Sequence, residues 1–347
     1  MKAVVLTAPN EFAIEEVPKP TPGPQEVLCQ VKAVTICGTD AHLLRGDYPG
    51  FWPPSHPFIP GHEWAGVVCA LGDGAGALGF AVGDRVAGTS HDACGFCKKC
   101  VEGRYNVCEN YGNTDVHRQY GHNWQGAFAE YVVHGVKSVF HLPDELSFHE
   151  GALLDPAAIA LHTAERGNIS SGDTVVVLGP GPVGLLAGDA ARALGAGRVI
   201  VVGRGERLAK AAELGFETVD YVADDPVTTV QAMTDGVGPD VALDCAGVPD
   251  SYRWALSMLH KGGRCASVGI PVEDVLLSLQ DLVLYEKELV GVRATAGGMR
   301  RAMPLVSDGR IRVNELHTHT FPLGEFQLAI DTFNERRDGA LKVILEP

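Results

Sequence analysis

The chain has 347 residues, 46% of them hydrophobic and 20% charged, with a formal net charge of −15. Such acidity repels phosphate backbones and anionic lipid, so nucleic acid and membrane are poor partners. Gly, Pro or charge interrupts every apolar run before the roughly 18 residues of a membrane span, and the length suits two domains better than one.

Met1-Lys2-Ala3-Val4-Val5-Leu6 reads as a strand that starts at once. It lacks a basic region, apolar stretch and cleavage site in succession, so no signal peptide is expected and the protein is placed in the cytoplasm. Short alternating segments follow, among them 26–34 and 65–70, cut by Gly and Pro. They predict a mostly β domain of barrel type up to residue 154.

From residue 155 to 294 the pattern becomes strand and helix in alternation. Strands are predicted at 174–178, 198–202, 240–244, 263–268 and 288–292, with helices after the first two. Apolar strands separated by helices predict a doubly wound parallel sheet, and hence an α/β fold. Residues 295–347 carry a strand near 318–323, a helix from Glu325 and a closing strand at 341–345. They are too few to fold alone and are expected to return to the first domain.

Between the first two strands of the parallel sheet lies Gly179-Pro180-Gly181-Pro182-Val183-Gly184, a G-x-G-x-x-G element. Placed after an apolar strand and at the start of a helix, it predicts dinucleotide binding. The first glycine makes the turn, the second admits the pyrophosphate and the third packs helix on strand, while the helix N-terminus offers free N–H groups. The second strand ends in Gly203-Arg204-Gly205-Glu206, without the acid that holds the ribose hydroxyls of NAD. Arg204 suits a 2′-phosphate and leans the reading toward NADP, while Glu206 keeps NAD open.

Nine cysteines are an odd number for a disulfide framework, and four of them crowd one lobe, at 91–110. Cys94, Cys97, Cys100 and Cys108 have the spacing with which a short lobe wraps a zinc ion in four thiolates. Four protein ligands leave no open position, so that zinc would be structural. A second, dispersed set is Cys37-Gly38-Thr39-Asp40-Ala41-His42 with Gly61-His62-Glu63, and Asp155 before Pro156 offers a further oxygen.

These motifs, with Val82-Gly83-Asp84-Arg85-Val86 and Gly126-Ala127-Phe128-Ala129-Glu130-Tyr131, resemble the zinc-containing medium-chain alcohol dehydrogenases over the whole chain, in particular the polyol (sorbitol-like) and threonine dehydrogenase branch. The resemblance implies a GroES-like β-barrel catalytic domain beside a Rossmann domain. It implies two zinc ions per chain, NAD or NADP, and a dimer or tetramer. Cys37, His62 and Asp155 would hold the catalytic zinc. Because relatives carry Glu at the third position, the shorter Asp155 leaves room for Glu63 as a substitute. Asp40 would orient His62, and a proton would leave through Thr39 and His42. Gly203, Val268 and Arg293 stand where relatives meet the cofactor or substrate.

The polar segment 111–125 and the aromatic, Pro-rich segment 48–58 suit a polyol, sugar alcohol or cyclitol if they face the site. A threonine 3-dehydrogenase-like enzyme is the alternative within the same chemistry, and a non-catalytic dinucleotide sensor is the alternative outside it.

Overall fold

The computed structural model describes all 347 residues. They form two compact units, 1–155 with 313–347, and 156–312. No helix is long and apolar enough to cross a membrane.

The first unit is built on a seven-stranded sheet. Its central strand, Glu26–Thr35, pairs antiparallel with Glu63–Leu71, Tyr131–Gly135 and the closing strand Lys342–Glu346. Trp64, Phe128 and Phe326 are fully buried in its core. Phe326 opens the helix Phe326–Glu335 and packs edge-on against Phe12, with ring centroids 5.2 Å apart. Strand register also places the chemistry. Thr35 lies opposite Glu63 and Ile344 opposite Thr35. Cys37, His62, Glu63 and Lys342 therefore come from the ends of three adjacent strands.

His134 is buried in this core. Trp64 Nε1–H donates to its Nε2 at 3.2 Å, and the ring stacks on Tyr120 at 3.7 Å. An indole N–H can only donate, so His134 Nε2 carries a lone pair. Burial holds this imidazole down at about 3. The unfolded chain takes up a proton near pH 6.5 that the folded one refuses until about pH 3, so stability is full above pH 6.5 and falls as pH drops. The loss is about 2 kcal/mol at pH 5. Urea unfolding at pH 7 and pH 5 should show a smaller drop by about that amount in His134→Gln; equal drops would contradict this account.

The second unit carries a six-stranded parallel sheet. Across it run Glu217–Asp220, Arg198–Gly203, Thr174–Leu178, Val241–Asp244, Arg264–Ser267 and Glu288–Gly291. This is chain order 3-2-1-4-5-6, the doubly wound arrangement that binds dinucleotides where the order reverses. Val175, Val176, Val177 and Leu178 are buried on both faces, as helices on each side require.

One expectation needs correction. The helix Gly298–Ser307 belongs to the second unit, not to a return segment starting at residue 295. A Cβ on Gly298 would meet the Ala158 carbonyl at 2.8 Å, so the helix packs close on Leu154–Gly167. Arg301 grips Glu165 with two hydrogen bonds of 2.8 Å, and Arg312 clasps the buried Asp189. The chain rejoins the first unit only at Val313.

Candidate active site

Cys37 caps the N-terminus of the helix Gly38–Arg45. Its N–H donates to Asp40 Oδ2 at 2.8 Å, while Asp40 Oδ1 lies 3.4 Å from His62 Nδ1. One buried carboxylate thus ties the Cys37 backbone to the His62 ring. Gly61 precedes His62 at φ +92°, and a Cβ there would sit 2.7 Å from the Phe128 ring, so only glycine serves.

Cys37 Sγ, a nitrogen of His62 and a carboxylate oxygen of Glu63 lie within 4.8 Å of one another. A thiol, an imidazole and a carboxylate form a donor set that suits zinc, and three protein donors leave one position for a small molecule. Burial alone would push His62 down, yet Asp40 and Cys37 beside it hold it well above the ordinary imidazole range.

Glu63 is also gripped from behind. The Thr35 hydroxyl and the Lys342 ammonium both donate to its Oε2. Burial opposes ionisation of Glu63, but the charges on Lys342 and His62 and the hydrogen bonds from Lys342 and Thr35 together keep the carboxyl below its usual range. Lys342 also donates to the Ile36 carbonyl at 3.3 Å. Burial would lower its own value, but Glu63, Cys37 and Asp40 together raise it.

Asp155 stands apart from the other donors. Its Oδ1 accepts a hydrogen bond from Thr89 Oγ1 at 2.7 Å, and burial pushes its carboxyl up to about 6, with His62 pulling the other way. The shorter arm is held by Thr89, and Glu63 fills the third place beside Cys37 and His62. Thr39 Oγ1 is buried with no hydrogen bond inside the protein. The half-buried His42 has Nδ1 on Asp47 at 2.7 Å.

A chain of rings leads away from His62. His122 lies 4.4 Å from it, Trp52 lies 4.8 Å from His122, and Tyr48 and Phe51 pack on Trp52. Trp52 Nε1–H donates to Tyr111 Oη at 2.7 Å, and that hydroxyl donates to Gln119 Oε1 at 2.5 Å. Parts of the segments 48–58 and 111–125 therefore share one wall beside the donor set. His122 is buried, and burial first, then His62, holds its imidazole well below the ordinary range.

The four-cysteine lobe fits a second zinc. Its Sγ atoms lie 3.5 Å apart for Cys94–Cys108, 3.8 Å for Cys94–Cys100 and 3.9 Å for Cys97–Cys108. Four sulfurs at zinc's usual 2.3 Å form a tetrahedron with edges of about 3.8 Å. Against a cost of burial, N–H donors from Asn110 and Cys97 pull Cys94 down to about 6, while burial pushes Cys100 up to about 12 and Cys108 up as well.

In the second unit the glycine turn joins Thr174–Leu178 to the helix Pro182–Ala193, whose N-cap is Gly181 and first residue Pro182. A Cβ on Gly184 would run into the Gly179 carbonyl, so helix and strand close up there. At Gly181 the nearest atom to a Cβ would be Arg207 Nη1, 3.9 Å away, which leaves room for a phosphate. Gly181→Ala should therefore melt within about 1 kcal/mol of the parent yet bind NAD(P)H at least tenfold more weakly in a fluorescence titration. Unchanged affinity would remove the turn from the cofactor site. Arg204 caps the helix Gly205–Glu213 and its guanidinium carbon lies 5.8 Å from the Tyr221 ring. Val268 and Arg293 directly follow or nearly follow the last two sheet strands, Arg264–Ser267 and Glu288–Gly291.

Lys342, Thr35 and Thr89 were not anticipated. Lys342 carried a signal: a lysine inside the otherwise apolar closing strand 341–345 needs a buried partner. Thr35 and Thr89 carried none, since threonine is at home in any strand.

Residues 23–144 match the alcohol dehydrogenase GroES-like domain, and residues 182–308 match the zinc-binding dehydrogenase family. The chain is 35% identical to a sorbitol dehydrogenase of Halalkalibacterium halodurans, covering 100% of this chain and 99% of the relative. It is 32% identical to an L-threonine 3-dehydrogenase of Alteromonas mediterranea, again over 100% and 99%. Among solved structures it is similar to a zinc-binding dehydrogenase of Sinorhizobium meliloti bound to NADP, with a TM-score of 0.89 and 33% identity over 100% and 99% of the two chains. With its two metal-ligand sets and its doubly wound sheet, the chain belongs to the zinc-dependent medium-chain dehydrogenase family, enzymes that exchange a hydride between an alcohol and NAD or NADP.

Proposed function

We propose that this enzyme oxidises a secondary hydroxyl of a polyol, sugar alcohol or cyclitol, with Cys37, His62 and Glu63 holding the catalytic zinc. The observation that carries the reading is the convergence of those three donors within 4.8 Å next to a wall of polar and aromatic side chains. Bound zinc supplies Lewis acidity toward an alcohol oxygen, and the nicotinamide supplies the hydride acceptor.

The chain's own residues do the rest. Asp40 orients His62, and Lys342 with Thr35 positions Glu63. The Thr39 hydroxyl, buried without a protein partner, is available to take the substrate's proton and pass it toward His42, which Asp47 orients. Asp155 supports the site from Thr89, outside the ligand set. Cys94, Cys97, Cys100 and Cys108 hold a structural zinc. Gly179, Gly181, Pro182, Val183 and Gly184 receive the pyrophosphate. Gly203 and Arg204 meet the ribose end, where Arg204 favours NADP, and Val268 and Arg293 border the nicotinamide.

The amino-alcohol reading of the threonine dehydrogenase relatives needs a cation for the substrate carboxylate. The buried cation next to the donors, Lys342, is already committed to Glu63, which favours a neutral polyol. Nine free cysteines fit a reducing cytoplasm. The exposed Leu276, Leu279, Val283 and Leu284, near the edge strand Glu288–Gly291, fit a homo-oligomer, to be checked by sedimentation.

The test is zinc analysis with cofactor reduction on a panel of polyols, simple alcohols and L-threonine, using NAD and NADP. Turnover of polyols with two zinc ions per chain is expected. Turnover of threonine alone would transfer the enzyme to the amino-alcohol reading. Bound nicotinamide with one zinc and no turnover would make it a sensor.

A further inference from the structure

The proposed function leaves open how the enzyme tells a polyol from a simple alcohol, and His122 is placed to do so. Its Nδ1 lies 3.1 Å from the Tyr120 carbonyl oxygen. A carbonyl only accepts, so Nδ1 carries the hydrogen and is spent. Its Nε2 makes no hydrogen bond within the protein and, in a residue only 4% exposed, is not sealed from solvent.

The ring has little freedom to turn. It is packed between His62, at 4.4 Å, and Trp52, at 4.8 Å. The turn that carries it is pinned by the Gln119 carbonyl, which accepts N–H bonds from His122, Asn123 and Trp124. The Gln119 N–H in turn donates to Asn123 Oδ1 at 2.7 Å. Trp52 is tied through Tyr111 to the Gln119 side chain, so the aromatic wall and the turn are one assembly.

A ring nitrogen at an enclosed site with no protein partner gains about 0.5–1.5 kcal/mol net when a ligand hydroxyl bonds to it. Here the free nitrogen belongs to the ring packed beside a proposed zinc ligand, 4.4 Å from it. A molecule bound at His62 with a polar group on the next carbon is the natural partner. Because Nδ1 carries the hydrogen, Nε2 offers a lone pair, and a ligand hydroxyl donates to it. A simple alcohol bound through its one oxygen brings no such donor.

We propose that His122 is a specificity-determining residue whose Nε2 hydrogen bonds a second hydroxyl, vicinal to the one oxidised, so that the enzyme selects 1,2-diols over mono-alcohols. The inference rests on the polyol reading and names the residue behind it.

The experiment uses the zinc-loaded, full-length enzyme with butane-2,3-diol and butan-2-ol, a pair that differs by one hydroxyl. Wild type should prefer the diol by at least about tenfold in kcat/KM. His122→Leu should cut that ratio by at least about tenfold, mainly through a higher KM for the diol. His122→Gln, whose amide reaches near the Nε2 position, should restore part of it. Independently of turnover, diol binding to the enzyme–NAD(P)H complex, read by nicotinamide fluorescence, should weaken in His122→Leu. Equal losses on both alcohols with no recovery in His122→Gln would show a merely structural histidine and overturn the inference. Wild-type turnover with an unchanged ratio in His122→Leu would overturn it too, while leaving the dehydrogenase reading intact. A wild type that oxidises neither alcohol and reduces its cofactor only with threonine would overturn both.

Discussion

Replacing Cys37 by Ser is expected to reduce the zinc content from two ions per chain to one and to lower kcat by at least about a thousandfold. Serine keeps the volume, but its hydroxyl is a far poorer zinc donor than a thiolate. Without the ion an alcohol keeps its ordinary pKa, and several kcal/mol of charge stabilisation are lost, each 1.4 kcal/mol being a factor of ten. The fold should survive, because Cys37 contributes to the local structure through its backbone N–H, which Asp40 holds, not through its sulfur. Zinc analysis, turnover and a thermal melt on one preparation check all three statements. Full activity with one zinc per chain would show that the remaining metal sits elsewhere and that Cys37 is not a ligand.

The second large effect should come from Lys342→Met. Lys342 and Glu63 are both almost fully buried and pair directly. Removing one member of such a pair leaves a buried charge without compensation and typically costs about 3–5 kcal/mol. Methionine matches the length of the lysine stem, so little of that loss is cavity. In zinc-free protein, Glu63→Gln combined with Lys342→Met should recover a good part of the stability, because no ion remains to be buried. Denaturant unfolding of the two single variants and the double variant gives the coupling directly. Strictly additive losses would mean that the pair contributes nothing as a pair. In the zinc-loaded protein the single Lys342→Met variant should suffer less, since its Glu63 carboxylate would have only the metal to answer to.

What could be read from residues alone follows from how local each feature is. The cysteines at 94, 97, 100 and 108 and the turn 179–184 are complete within fifteen residues or fewer, so their chemistry is visible in order along the chain. The strands of the parallel sheet announce themselves by continuous apolar runs. The third donor beside Cys37 and His62 was harder, because it depends on three hydrogen bonds between residues far apart in the chain. Thr89 takes Asp155, and Thr35 with Lys342 takes Glu63. Lys342 reaches Glu63 only because of the register between the first unit's central and closing strands, which nothing in residues 341–345 reveals. Residues from 295 were assigned to the first domain for a similar reason. The attachment of the helix Gly298–Ser307 rests on a glycine contact with Ala158 and on the pairing of Arg301 with Glu165, 136 positions away.

The polar loop is an intermediate case. Its composition showed hydrogen-bonding capacity, but not that His122 would pack against His62 while Asp115 would remain exposed. Direction, not content, was missing.

Anomalous scattering from crystals of the zinc-loaded enzyme at the zinc absorption edge tests the central claim most directly. Two peaks per chain are expected, one enclosed by the sulfurs of Cys94, Cys97, Cys100 and Cys108 and one in contact with Cys37 and His62. A chain that turns over polyols with density only among the four cysteines, or with its second peak away from Cys37 and His62, would contradict it.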